Sequence, residues 1–237
     1  MARVIKVDNA ILKRRAYKRG KKQVGFRKAR KHILIVCEGI KTEPNYFESI
    51  KNTLNNNVLE TYDIDVKGTG TSTLKIIEIA IELRKKAAEI HNKEYDQVWA
   101  VFDKDSFPVA DFNNAIFKAK AKGIKCGWSN EAFELWYILH FQYRNTSMSR
   151  DDYKKCIEKE CSKSIHEKTG KKTDFEYLKN SEKMYSILEK YGDQEQAIKW
   201  AKSLDALHSN NNFASHNPCT KVYELIIVLN EIRDSTN

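Results

Sequence analysis

Two apolar runs constrain this chain most: HILIVC (His32 to Cys37) and the core of YDQVWAVFD (Tyr95 to Asp103). Both are rich in β-branched residues and neither alternates with polar ones, so as strands they must be covered on both faces. Sheets covered on both faces are mostly parallel, because the crossover helices do the covering. TYDIDVKG (Thr61 to Gly68) alternates as a third strand, and GIKCGWS (Gly123 to Ser129) reads as a short fourth. Helical periodicity fills the gaps. One helix runs to about Leu54, with Thr42 as its cap and Pro44 in its first turn. Others span about Ser72 to His91, with GTGTS as the turn and Thr71 or Ser72 as cap, and about Ala110 to Lys122. The apolar stretch Glu131 to Phe141 is also read as helical. Strand–helix alternation repeated in this way predicts an α/β fold, a mainly parallel sheet flanked by helices. From about Met148 strand signals vanish, and helix-period segments remain near 149–160, 173–190, 193–208 and 218–233. The expected organisation is a basic arm (1–31), an α/β core (32–147) and a helical C-terminal extension packed on that core (148–237).

The net charge of +10 is concentrated in the arm. Between Lys13 and Lys31 it holds eleven cations, Lys13, Arg14, Arg15, Lys18, Arg19, Lys21, Lys22, Arg27, Lys28, Arg30 and Lys31, and no acid. Subtracting eleven from +10 leaves the remainder within one charge of neutral. An arm like this can neutralise phosphates and release counterions, which points to a nucleic-acid partner; a solvated tail is the plainer alternative. Tyr17 and Phe26 could stack on bases. No apolar run approaches the roughly 20 residues that cross a bilayer, and MARVIKVDNA lacks the apolar core of a signal peptide. These features lead to an expectation of a cytoplasmic protein with no membrane partner. Five cysteines without CxxC spacing argue against a zinc knuckle or a disulfide framework, and Cys37 and Cys126 are expected as buried thiols. Six scattered histidines, without HExxH, argue against a histidine-rich metal site.

Acidic residues follow three strands. Glu38 follows the first directly, Asp103 and Asp105 follow the central one as VFDKD, and Glu131 and Glu134 follow the last. In a parallel sheet these ends share one edge, where active sites of open α/β sheets form. Convergent carboxylates repel unless a cation lies among them. Mg²⁺ (or Mn²⁺) suits an all-oxygen set completed by substrate phosphates. Helix capping and dipole pairing would explain each acid singly. VFDKDS also approaches the first motif of HAD-type phosphatases, in which Asp103 would be a nucleophile and Asp105 an acid/base. A non-catalytic nucleic-acid-binding subunit is a further alternative.

Three segments together resemble the RloB-like family, whose core is related to Toprim: IVCEGIKTEPNYF, VWAVFDKD and SNEAFELWYILHF. NPCTKVYELI resembles a fourth block, with Cys219 where Ser is usual. The resemblance implies a Toprim-like fold and a metal-dependent endonuclease acting on DNA or RNA. It implies that Glu38 is a metal ligand or general acid/base, that Asp103 and Asp105 are the metal-binding pair, and that Glu134 is a further ligand. Thr42 and Glu43 match a TE pair, and Asn217 and Thr220 fall in the last block, as site support. Glu131 stands where proline is more usual. Lys41 or Lys104 could offset charge on a scissile phosphate. The family further implies a role in anti-phage defence (abortive infection) and control by an ABC/AAA-type ATPase. A homodimer could form through the 131–141 helix or the C-terminal helices, although core packing explains both.

Overall fold

The computed structural model describes residues 30–235. Five strands form one sheet in the order β2-β1-β3-β4-β5. They are β1 (Lys31–Cys37), β2 (Tyr62–Gly68), β3 (Gln97–Asp103), β4 (Lys125–Asn130) and β5 (Cys219–Thr220). The first four are parallel and β5 runs antiparallel to β4. The fold is the expected α/β one. Helices are α1 (Thr42–Asn52), α2 (Asn56–Thr61), α3 (Thr73–His91), α4 (Val109–Ala121), α5 (Glu134–Ile138), α6 (Arg150–Thr169), α7 (Met184–Tyr191), α8 (Gln194–Ala206) and α9 (Val222–Asp234).

The pleat divides the apolar residues between two cores. Leu34 and Val36 join Val98, Ala100, Phe102 and Trp128 beneath α3 and α4. Ile33, Ile35 and Cys37 join Ile64, Val66, Trp99 and Val101 on the other face. There the core continues through α1, α2 and the C-terminal helices α6 to α9. The C-terminal helices therefore complete one layer of the sheet. The 131–141 segment offers no face to a second copy: Leu135, Trp136 and Ile138 are buried within this chain.

Four details depart from the sequence reading. The helix expected over Glu131 to Phe141 is only α5. Thr42 is not a cap: it lies inside α1, whose capping residue is Lys41, and its hydroxyl donates to Lys179 O at 2.9 Å. NPCT supplies the edge strand β5 where a helix was expected. Residues 173–183 are not helical. Their backbone is satisfied by side chains instead, as buried or half-buried peptide groups require. Phe175 N–H donates to Ser162 Oγ (2.9 Å) and Tyr177 N–H to Glu158 Oε1 (3.1 Å). The carbonyls of Lys179, Asn180 and Glu182 accept from Thr42, Asn45 and Ser49 of α1. This segment is a strap sewn to the first helix.

Candidate active site

The strand order reverses at β1: β2 lies on one side of it and β3 on the other. Such a switch point leaves a crevice beyond the carboxyl ends of the two strands. Glu38 continues β1, with its N–H on Val101 O at 2.8 Å, and its Oε2 accepts from Asp103 N–H at 3.1 Å. The end of β2 must be glycine, because a Cβ on Gly68 would stand 2.7 Å from Gly39 O. A Cβ on Gly39 would meet only the Glu43 carboxylate, which would have to move aside.

A cleft of about 430 Å³ opens here. Glu38, Glu43, Asp103, Asp105 and Glu134 line it together with Lys41, Arg150, Lys179 and Asn180. Each acid arrives differently. Asp103 ends β3 on the same face as Trp99 and Val101, so it points under α5. Asp105 sits in a left-handed turn (φ 42°), its N–H held by Glu131 O at 3.1 Å. Non-glycine residues adopt that region at a cost, and it is found mainly where the surroundings enforce it. Glu134 opens α5 and Glu43 lies in the first turn of α1; both are buried.

Electrostatics follow from this crowding. Burial pushes Glu38 up to about 7; the Asp103 N–H opposes the shift, and the charges of Glu43 and Asp105 add to it. Burial and the charge of Glu134 raise Glu43. Asp103 is raised well above the carboxylate range, first by burial and then by Glu43, Glu134 and Glu38. Its Oδ1 is buried with no hydrogen-bond partner. Tyr177, from the strap, donates to Glu134 Oε1 at 3.0 Å, and Arg150 Nη2 lies 2.6 Å from Asp105 Oδ2. Among the described residues no three acidic, histidine or cysteine groups stand close enough together to share one ion. Glu38, Asp105 and Glu134 are each held by a partner, so side-chain rotations separate this arrangement from a ligating one. The donor set nevertheless fits a hard divalent cation: it is all oxygen, carries excess negative charge and contains an orphaned buried oxygen.

The raised Glu38 has a measurable consequence. Below about 4.5 it is protonated whether the chain is folded or not, and as pH rises through about 7 the folded chain must ionise it among like charges. Its stabilising contribution is therefore complete below 4.5 and lost as pH passes 7, by roughly 2 kcal/mol after allowance for solvent screening. In EDTA, wild type is expected to lose more melting temperature than Glu38→Gln between pH 5 and 8. Thermal melts of the two proteins check this; parallel curves contradict it.

The other sequence-derived candidates fall in several places. Thr42 ties the strap. Thr220 Oγ1 meets Ser129 Oγ at 2.9 Å, and Ser129 O accepts the Lys104 N–H, so Thr220 braces the acidic loop from behind. Asn217 is exposed and does not line the cleft. Glu131 contributes its carbonyl, and its side chain does not line the cleft. Lys104 faces its own loop, donating to Asp105 O (3.1 Å) and Phe107 O (2.5 Å), whereas Lys41 does line the cleft. Of the arm, Lys13, Arg14, Arg15, Lys18, Arg19, Lys21, Lys22, Arg27 and Lys28 lie outside the described residues. Arg30 donates to Leu59 O at 2.6 Å, and Lys31 begins β1, at the end of the strand opposite the cleft. Sequence reading missed Tyr177, Arg150, Lys179 and Asn180. Their partners are distant in sequence, and no local pattern marks them.

The fold and the site define an α/β protein with a carboxylate cleft at its topological switch point. The family model for RloB-like protein matches residues 33–229, and the chain belongs to the RloB-like family. No curated protein and no solved structure matches it.

Proposed function

We propose that this chain is a divalent-metal-dependent nuclease with a Toprim-like centre, hydrolysing a phosphodiester of DNA or RNA. Asp103 carries the proposal: one oxygen of its carboxylate is buried without a partner, and the group stands among Glu38, Glu43 and Glu134. Leaving a charged group in that state is costly, and a cation relieves it. Asp103, Asp105, Glu38 and Glu134 would hold Mg²⁺ or Mn²⁺. What such an ion supplies when bound is charge neutralisation at the phosphate and a more acidic water. Glu38 lines the cleft beside Asp103 and accepts or returns a proton there. Glu43, behind it, adds negative charge without needing to touch the ion.

The basic arm would add phosphate contacts that carry no sequence information. A cytoplasmic role in anti-phage defence, controlled by an ABC/AAA-type ATPase, follows from the family resemblance. No helix among the described residues is long and apolar enough to cross a membrane.

The test is cleavage of plasmid DNA, single-stranded DNA and total tRNA, with Mg²⁺ or Mn²⁺ against EDTA. An Asp103→Ala/Asp105→Ala protein runs alongside, and both are assayed with and without the ATPase encoded nearby, if there is one. Metal-dependent cleavage absent from the double variant is expected. Binding that persists in EDTA, with no product under any condition, would mean a binding subunit instead.

A further inference from the structure

Positive charge reaches the acidic cleft from the C-terminal third of the chain. Arg150 is the first residue of α6, and Lys179 belongs to the strap. Both line the cleft alongside Glu38, Glu43, Asp105 and Glu134. A cation in the first turn of a 20-residue helix opposes the helix dipole, so the gain that keeps Arg150 there comes from the cleft. Its Nη2 lies 2.6 Å from Asp105 Oδ2, and the two side chains are 47% and 29% exposed. An ion pair this open contributes little and is readily exchanged. A divalent ion held by Asp105 would compete with the guanidinium for the negative charge of that carboxylate.

We infer that Arg150 has two positions. It neutralises Asp105 while no cation is bound, and it turns to a phosphate of the nucleic-acid substrate once Asp105 engages the cation. Lys179, fixed by the bond from Thr42 to its carbonyl, is a second phosphate contact. The guanidinium suits this task, since its planar fork matches carboxylate and phosphate alike. The inference rests on the metal-centre reading above and adds how the substrate's charge is received.

The experiment uses the full chain, with calorimetric Mn²⁺ titration of wild type, Arg150→Gln and Arg150→Lys. It is paired with fluorescence anisotropy of a single-stranded oligonucleotide in Ca²⁺, to read binding apart from turnover. Arg150→Gln should bind Mn²⁺ about two- to fivefold more tightly and the oligonucleotide more weakly by a similar factor. Arg150→Lys should fall between. Both chains carry the same arm, so their difference isolates the cleft. Unchanged or weaker Mn²⁺ binding by Arg150→Gln overturns the inference, as does undiminished oligonucleotide binding. If neither wild type nor Arg150→Gln binds Mn²⁺, the metal-centre reading falls and takes this inference with it.

Discussion

Replacing Asp103 by asparagine is expected to abolish cleavage and, in the same protein, to stabilise the metal-free fold. The loss should be at least about 10²–10³-fold, the size that removal of one electrostatic contributor produces in an excluded site. The stabilisation has a separate origin. Asp103 is half-buried as a residue, but its Oδ1 is buried without a partner, and its ionised form is opposed first by burial and then by Glu43, Glu134 and Glu38. Asparagine keeps the shape, cannot ionise, and offers N–H donors to neighbouring carboxylates. Its gain, about 1–2 kcal/mol, should grow as pH rises above the ordinary aspartate range and vanish below it, where the aspartate is protonated folded or unfolded. Urea denaturation in EDTA at pH 4 and pH 9 measures it. A variant that is less stable at pH 9 and still cleaves would remove Asp103 from the centre. A functional group held at the expense of stability is what the cleft's geometry implies.

The second large effect is on folding. Trp136→Ala should cost about 3–5 kcal/mol, a large part of the 5–15 kcal/mol that holds a typical domain together. Trp136 is fully buried, donates its Nε1–H to Tyr46 OH at 2.8 Å and meets His140 edge-to-face at 4.8 Å. Tyr46 in turn contacts Phe47, Phe133, Tyr137 and Tyr185 with ring centroids 5.5–5.6 Å apart. Deleting the indole leaves a cavity and an orphaned hydroxyl at the centre of that cluster. Trp136→Phe keeps most of the packing and loses only the hydrogen bond and some area, so about 1–2 kcal/mol is expected. Denaturant midpoints order the three proteins. Equal midpoints for wild type and Trp136→Phe would show that the bond to Tyr46 contributes nothing. Because Glu134 lies two residues before Trp136 on α5, the alanine variant should also loosen the cleft.

What was legible in the sequence depended on range. The four parallel strands and the helices α1, α3 and α4 announce themselves through local periodicity, and their ends were read to within a few residues. Glu38, Asp103 and Asp105 were legible because a parallel sheet brings all its carboxyl ends to one edge. Glu43 was underweighted: a glutamate in a helix's first turn looks like a dipole partner, and only the packed fold shows it lining the cleft with the other acids. The strap was misread because Phe175, Tyr177 and Leu178 imitate a helical stripe. In the fold Tyr177 is buried against Glu134, while Leu178 is 58% exposed. β5 was missed because two residues carry no periodicity, and its pairing with β4 is settled some ninety positions away.

The strap also bears on when the cleft is finished. Every carboxylate that lines it is encoded by residue 134, whereas Arg150, Tyr177 and Lys179 come later, and β5 closes the sheet edge only at 219–220. A chain emerging from the ribosome thus exposes its acids before it has the groups that hold them apart from solvent and from one another. Until the strap is sewn onto α1 and Thr220 reaches Ser129, the acidic loop lacks its brace. The acidic cleft is thus the product of the whole chain, and its charges are balanced only when the last third has folded onto the first.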